Sequence, residues 1–241
     1  MELQKRPDWL LDELAHAGRE NVEAEHARHY DAKMDSDAAS EFGLLTALGL
    51  NSVSTFIEFG TGTGQLAVEA AQRGARVVAV DVSPVMLAVL RTKIRELGLS
   101  RVEVIEAGFL SYEIEPDTVD FAYSRFTLHH LPDFWKVCAL QRVFRMLKPG
   151  GVFRLSDIVY NFEPTDAAER IEHWCSTGRA VLPGTAVDDG WGRWEIAEHV
   201  RDEHSTYSWL LEVMIQRVGF VIENCEKPTD MDARYVLRKP S

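Results

Sequence analysis

Apolar and polar residues follow two alternating rhythms along the middle of this chain. Short runs rich in Val, Ile and Phe take turns with segments whose apolar positions recur every three or four residues. That is the pattern of parallel strands joined by crossover helices, with helices on both faces of the sheet. The first strand reads Thr55-Phe56-Ile57-Glu58-Phe59; a glycine cluster and a helix from about Gly64 to Arg73 follow. The second strand is Arg76 to Asp81. Ser83 is placed as a helix N-cap with Pro84 at the first helical position. Leu87, Leu90, Ile94 and Leu97 then form one stripe, and Gly98 is placed to end the helix. The third strand is Val102 to Ala107 and the fourth Thr118 to Ser124. A helix from about Asp133 to Leu147 repeats the spacing with Val137, Leu140, Phe144 and Leu147. Pro149-Gly150-Gly151 reads as a turn before a fifth strand, Val152 to Ile158. The C-terminal part predicts a helix from Thr206 to Val218, with Ser205 as its N-cap. Two strands, about Phe220 to Cys225 and Arg234 to Leu237, follow it. Their short link predicts an antiparallel hairpin at a sheet edge.

Two regions break the alternation. Residues 1–50 read as an N-terminal helical cover, ahead of a domain spanning 51–241. Residues 160–204 read as an irregular insertion after the fifth strand, holding ten acids against four Arg and Trp174, Trp191 and Trp194. Both are expected to cover the carboxyl edge of the sheet, where open α/β sheets bind ligands. The three tryptophans could form an aromatic wall there, or only pack the cover.

Charge and cysteine usage narrow the partners. A formal charge of −12 over 241 residues argues against a general nucleic-acid partner, whose phosphates need a basic face. The longest apolar stretch, Ala75 to Leu90, is broken by Arg76, Asp81 and Pro84, so no membrane segment is expected. The N-terminus carries acids where a secretory leader needs apolar residues. Cys138, Cys175 and Cys225 are far apart and odd in number, which suggests a reducing compartment, with the cytoplasm as default, and no zinc site. The oligomeric state stays open, a homodimer among the options.

The chemistry concentrates in Glu58-Phe59-Gly60-Thr61-Gly62-Thr63-Gly64, between a strand and a helix. Glycines there allow a sharp turn and close approach of a ligand to the main chain. Asp81 ends the neighbouring strand, where a carboxylate can accept two hydrogen bonds from a ribose diol. Together they indicate an adenosine-type ligand. Gly62-x-Gly64-x-x-Ala67 also satisfies the dinucleotide fingerprint, so an NAD-dependent oxidoreductase is the rival reading. Glu58 separates the two: a carboxylate there suits an amino-acid ammonium and would repel a diphosphate.

The segments EFGTGTG, VVAVDVSPVML, AGFL, VDFAYSRFTLHHLPD and LKPGGVFRLSD, in this order, resemble the class I S-adenosylmethionine-dependent methyltransferases. The resemblance covers about residues 50–160 strongly and the terminal hairpin less so. It implies a Rossmann-like, doubly wound sheet of seven strands, the last antiparallel and inserted between the fifth and sixth. It also implies S-adenosylmethionine as cofactor and S-adenosylhomocysteine as product. On this resemblance Glu58, Gly60, Thr61, Gly62 and Gly64 hold the methionine part, and Asp81 holds the ribose. Val82 and Met86 lie against the adenine. Ser124 and Arg125 flank the methionine part, and Tyr30 closes over the cofactor's carboxylate. Gly108-Phe109 falls at the adenine edge, where the family most often has an acid; Gly108 departs from that pattern.

A methyltransferase reading calls for a small-molecule acceptor with an O, N or C nucleophile. A base is needed only if the acceptor must lose a proton. His129 is the first candidate, because it follows the cofactor-side strand and imidazole accepts protons near neutral pH. His130 reads as a packing residue. Asp157, ending the fifth strand, could bind an acceptor hydroxyl or amine. His204 is a further acceptor-site candidate. No metal is expected at His129-His130, since no carboxylate nearby in the sequence completes a ligand set. A protein that keeps the cofactor fold without transferring methyl groups, or without catalysis, is the remaining alternative.

Overall fold

The computed structural model describes residues 7–23, 27, 30–31, 37–177 and 192–241. The alternating pattern folds into one sheet in the order β3-β2-β1-β4-β5-β8-β7. The strands are β1 (Thr55–Phe59), β2 (Arg76–Asp81), β3 (Val102–Glu106), β4 (Val119–Arg125), β5 (Leu147–Tyr160), β7 (Val221–Thr229) and β8 (Asp232–Arg238). A two-residue strand, β6 (Thr206–Tyr207), pairs with the end of β5. The first five strands are parallel. β8 runs antiparallel between β5 and β7, as the resemblance implies.

Besides a four-residue helix at Arg19–Val22, the helices among the described residues are α1 (Ala38–Ala47), α2 (Gln65–Gln72), α3 (Pro84–Leu97), α4 (Asp133–Met146), α5 (Ala167–Thr177), α6 (Arg193–Asp202) and α7 (Ser208–Val218). Strand alternation sends successive side chains to opposite faces, and both faces are covered. Ile57, Phe59, Val78 and Val80 join Leu140, Val143, Leu211 and Ile215 in one core layer. Phe56, Val77 and Ala79 join Leu45, Leu66, Leu87 and Leu90 in the other. Each fully buried side chain of this kind contributes about 1.5–3 kcal/mol.

Local signals account for several boundaries. Ser83 caps α3 by accepting from the Met86 amide at 3.2 Å, and Gly98 ends that helix at φ 65°. Two boundaries differ from expectation. Pro149-Gly150-Gly151 does not separate a turn from a strand: β5 already begins at Leu147. The three residues lie in a register shift, where β4 pairs Val119 with Leu147 and then Phe121 with Val152. The last helix starts at Ser208, because Thr206 and Tyr207 are drawn into pairing with β5. Ser205 therefore does not cap it; its hydroxyl lies 2.9 Å from Nε2 of His199.

The N-terminal cover is tied to the sheet by a buried ion pair. Arg154 on β5, 1% exposed, donates through Nε and Nη2 to the two carboxylate oxygens of Glu41 on α1, each at 3.2 Å.

Candidate active site

The carboxyl ends of β1, β2 and β4 open into two adjoining chambers of about 620 and 430 Å³. The larger is walled by Asp81, Val82, Gly108, Phe109 and, from the N-terminal segment, Glu13 and Asn21. The smaller is walled by Glu58, Thr61, Gln65 and Tyr123. Tyr30, Gly60 and Arg125 line both.

The glycine loop that separates them is held by its neighbours. The amides of Gly60 and Thr61 donate to the Val80 carbonyl at 2.9 and 3.1 Å. Asp81 accepts from the Gly62 amide at 2.7 Å through one oxygen and from the Ser83 amide at 2.8 Å through the other. Each carboxylate oxygen keeps a second lone pair for a ligand. Gly64, at φ 79°, packs so closely on α3 that a Cβ would come within 2.2 Å of Leu90 Cδ1. At Gly62, φ 53°, the nearest atom to an added Cβ is Tyr30 Cε1 at 3.8 Å, an ordinary contact, so of the loop glycines this one is held by its backbone conformation rather than by crowding. Asp31, next to Tyr30, accepts from the Thr63 hydroxyl and pairs with Lys93, which fixes that segment on the loop.

Three buried carboxylates face this space. Burial pushes Glu58 up to about 8, against the pull of the Thr61 hydroxyl, which donates to it at 2.9 Å. Burial also raises Asp81, against the backbone N–H groups it accepts. Glu13, 6% exposed, accepts from the Leu110 amide at 3.1 Å and from the Ser111 hydroxyl at 3.0 Å. Its carboxylate lies beside Gly108. Sequence reasoning missed Glu13. The departure at Gly108 was the signal, since it left the adenine edge without an acid.

Of the other cofactor candidates, Val82, Gly108, Phe109 and Arg125 line the larger chamber, and Phe109 stacks on Phe59 with centroids 4.6 Å apart. Met86 and Ser124 are not among the lining residues. Met86 points into the core beneath α3, and Ser124 is fully buried with its hydroxyl making no hydrogen bond.

The histidine expectations need correction. His129 does not line either chamber; it is 3% exposed and both ring nitrogens face carboxylates. Nδ1 is 2.5 Å from Asp157 and Nε2 is 3.0 Å from Glu203. Burial alone would lower its pKa, but Asp157 and Glu203 together push it up to about 10. A cation held on both sides has no lone pair with which to accept a proton. Asp157 is likewise taken up, accepting from the His129 and Ile158 amides as well as the ring, so it does not reach an acceptor. The His204 ring lies tilted against that of His16, with centroids 5.7 Å apart, and its amide donates to the His129 carbonyl, outside the chambers. His130 is the histidine that lines the larger chamber. Burial and the neighbouring His129 cation hold it neutral, down at about 3. Of the two readings of the insertion's tryptophans, the described ones follow packing of the cover rather than an aromatic wall. Trp174 is buried edge-on against His199 and Trp194 is 61% exposed; Trp191 lies outside the described residues.

Residues 56–151 match a family model described as a methyltransferase domain. That stretch carries the motifs that resemble the class I S-adenosylmethionine-dependent methyltransferases. Among curated relatives of this chain, an uncharacterized methyltransferase of Geobacillus kaustophilus is 28% identical over 54% of this chain and 59% of its own. An uncharacterized methyltransferase of Bacillus cereus is 26% identical over 88% of each. The matched stretch thus spans less than two thirds of the Geobacillus protein. Phosphoethanolamine N-methyltransferase 2 of Caenorhabditis elegans is 34% identical over 40% of this chain and 22% of its own. Solved structures agree on the fold. Phosphoethanolamine N-methyltransferase 2 of Haemonchus contortus, in complex with S-adenosyl-L-methionine, gives a TM-score of 0.70 at 17% identity, covering 98% of this chain and 62% of its own. The cyclase SpnF gives 0.61 at 18%, covering 85% and 82%. Among the described residues, no helix is long and apolar enough to cross a membrane.

Proposed function

We propose that the chain transfers the methyl group of S-adenosylmethionine to a small-molecule acceptor. The observation that carries this reading is the row of three buried carboxylates, Glu58, Asp81 and Glu13, along the two chambers. All three accept hydrogen bonds, and they match a ligand that presents an ammonium, a ribose diol and an adenine amine in turn. Glu58 takes the ammonium, Asp81 the diol through its remaining lone pairs, and Glu13 the exocyclic amine. A dinucleotide would bring its diphosphate among these acids at a Coulombic cost. This set of acceptors therefore fits the sulfonium cofactor and disfavours NAD.

A sulfonium supplies its methyl group already activated. The residues here then need to align the acceptor and exclude water, and orientation of that kind is worth about 7–11 kcal/mol. Arg125, Phe126, Thr127, His130 and Leu131 form the wall on which an acceptor would rest. His130, neutral, is a hydrogen-bonding group on that wall rather than a strong base.

Calorimetry with S-adenosylhomocysteine and NADH tests the cofactor. Binding of the first and none of the second is expected; tight NADH binding alone would reject the reading. Transfer of a labelled methyl group to a panel of amines, phenols and carboxylates tests the reaction. Cofactor binding without any turnover across the panel would leave a cofactor-binding protein.

A further inference from the structure

Behind the acceptor wall, three imidazole nitrogens converge on one carboxylate oxygen. Oε2 of Glu203 lies 2.6 Å from Nδ1 of His199, 3.0 Å from Nε2 of His129 and 3.7 Å from Nδ1 of His130. A carboxylate oxygen has two lone pairs, so protons cannot satisfy all three approaches. The Nδ1 of His130 is buried and makes no hydrogen bond. The donor atoms of His129, His199 and Glu203 all lie within 4.8 Å of one another.

Spacing, orientation and charge agree on what belongs there. Donors around a tetrahedral ion with bonds of about 2.0–2.1 Å stand roughly 3.3 Å apart; the two separations from Glu203 to the imidazoles, 2.6 and 3.0 Å, are somewhat shorter, so an ion would spread the three donors by a few tenths of an ångström. Each imidazole of the group is aimed by its other nitrogen, His129 Nδ1 on Asp157 at 2.5 Å and His199 Nε2 on the Ser205 hydroxyl at 2.9 Å. Metal-ligating histidines are oriented in this way. Asp157 and Glu203 bring two negative charges into a buried site, and a His129 cation offsets one. Lys136, the nearby ammonium, is committed to Asp133 and the His204 carbonyl. An ion bound at His129 Nε2 takes the place of the proton there, which leaves the imidazole neutral and lets a doubly charged cation balance the two carboxylates.

From this geometry we infer a binding site for a divalent transition-metal ion of the zinc class at His129, His199 and Glu203, with His130 beside it. The ion ties the end of α6 to the segment after β4, and so fixes the insertion behind the acceptor chamber. The site was hidden from the sequence because His199 and Glu203 come from the insertion, far along the chain from His129.

The test uses the full chain, stripped with chelator and reloaded with Zn²⁺, Co²⁺ or Mg²⁺ separately. One equivalent of zinc is expected by elemental analysis after dialysis, with a rise of several degrees in Tm and no rise with Mg²⁺. Co²⁺ should give visible absorption bands that are lost in Glu203→Gln and His199→Gln. Circular dichroism and S-adenosylhomocysteine affinity, read alongside, report folding and the cofactor site independently. Absence of stoichiometric zinc and of any Tm shift in the unaltered chain overturns the proposal whatever the variants do. So does metal content unchanged in both folded variants. Loss of cofactor binding with zinc binding retained would instead count against the methyltransferase reading.

Discussion

The carboxylate of Glu13 stands where a side chain at position 108 would stand: a Cβ added to Gly108 would lie 2.3 Å from its Oε1. An acid from the N-terminal segment thus occupies the place that the family more often fills from the loop after the third strand. Glu13→Ala should weaken S-adenosylhomocysteine binding by about 1.5–3 kcal/mol, the range of one charge-assisted hydrogen bond. Gly108→Asp alone should also weaken it, by displacing Glu13. In the double variant the loop acid should restore affinity. Calorimetry on the four proteins checks this, and losses that merely add would show that the two positions do not share one role.

With the cofactor ammonium on Glu58 as proposed, cofactor binding should depend on pH. Its carboxyl ionises near 4.5 in the unfolded chain and at about 8 when buried. Between those values the folded protein holds a proton that the unfolded chain releases. Stability from this group therefore falls as pH rises from 4.5 and levels off above about 8. An ammonium beside Glu58 favours the carboxylate, so binding should release close to one proton below about pH 8, and affinity should rise with pH up to that point. Titration calorimetry in buffers of different ionisation enthalpy counts the proton. A buffer-independent enthalpy near neutral pH would remove Glu58 from the ammonium.

Asp81 holds the loop and lines the larger chamber, where the ribose is proposed to lie. Asp81→Ala removes acceptors from the Gly62 and Ser83 amides, so it should lower Tm in the free protein. It should also weaken S-adenosylhomocysteine binding by about 1.5–3 kcal/mol per strong bond lost. An unchanged Kd would separate Asp81 from the ribose and leave it a loop anchor.

The Arg154–Glu41 pair should show the asymmetry of buried charges. Glu41→Ala leaves an uncompensated guanidinium inside the sheet and should cost about 3–5 kcal/mol in urea unfolding. Replacing both, as Glu41→Leu with Arg154→Met, should recover most of that loss. A single variant as stable as the parent would mean that solvent reaches Arg154.

The strands, the glycine loop and the Ser83 cap were legible because each depends on residues adjacent in the chain. Alternation at Phe56-Ile57 and Val77-Val78 assigned both faces of the sheet, and a short link implied the terminal hairpin. His129 was misread for the opposite reason. Its neighbours in sequence describe a polar loop, while its neighbours in space are two carboxylates, one from β5 and one from the insertion. Glu13 escaped notice likewise, since nothing between it and Gly108 marks their meeting. Ser205 looked like a cap because a hydroxyl before an apolar run usually is one; pairing with β5 outweighed that preference.

The stretch between β5 and α7 leaves the sheet at Tyr160 and comes back at Thr206 and Tyr207, which pair with Val159 and Tyr160. Its two ends are therefore stitched to the same spot. Loops that depart and return at one point can lengthen, shorten or change sequence without disturbing the framework that carries them. Relatives could diverge in the compounds they accept by exchanging this one excursion, while the glycine turn and its acids stay as they are.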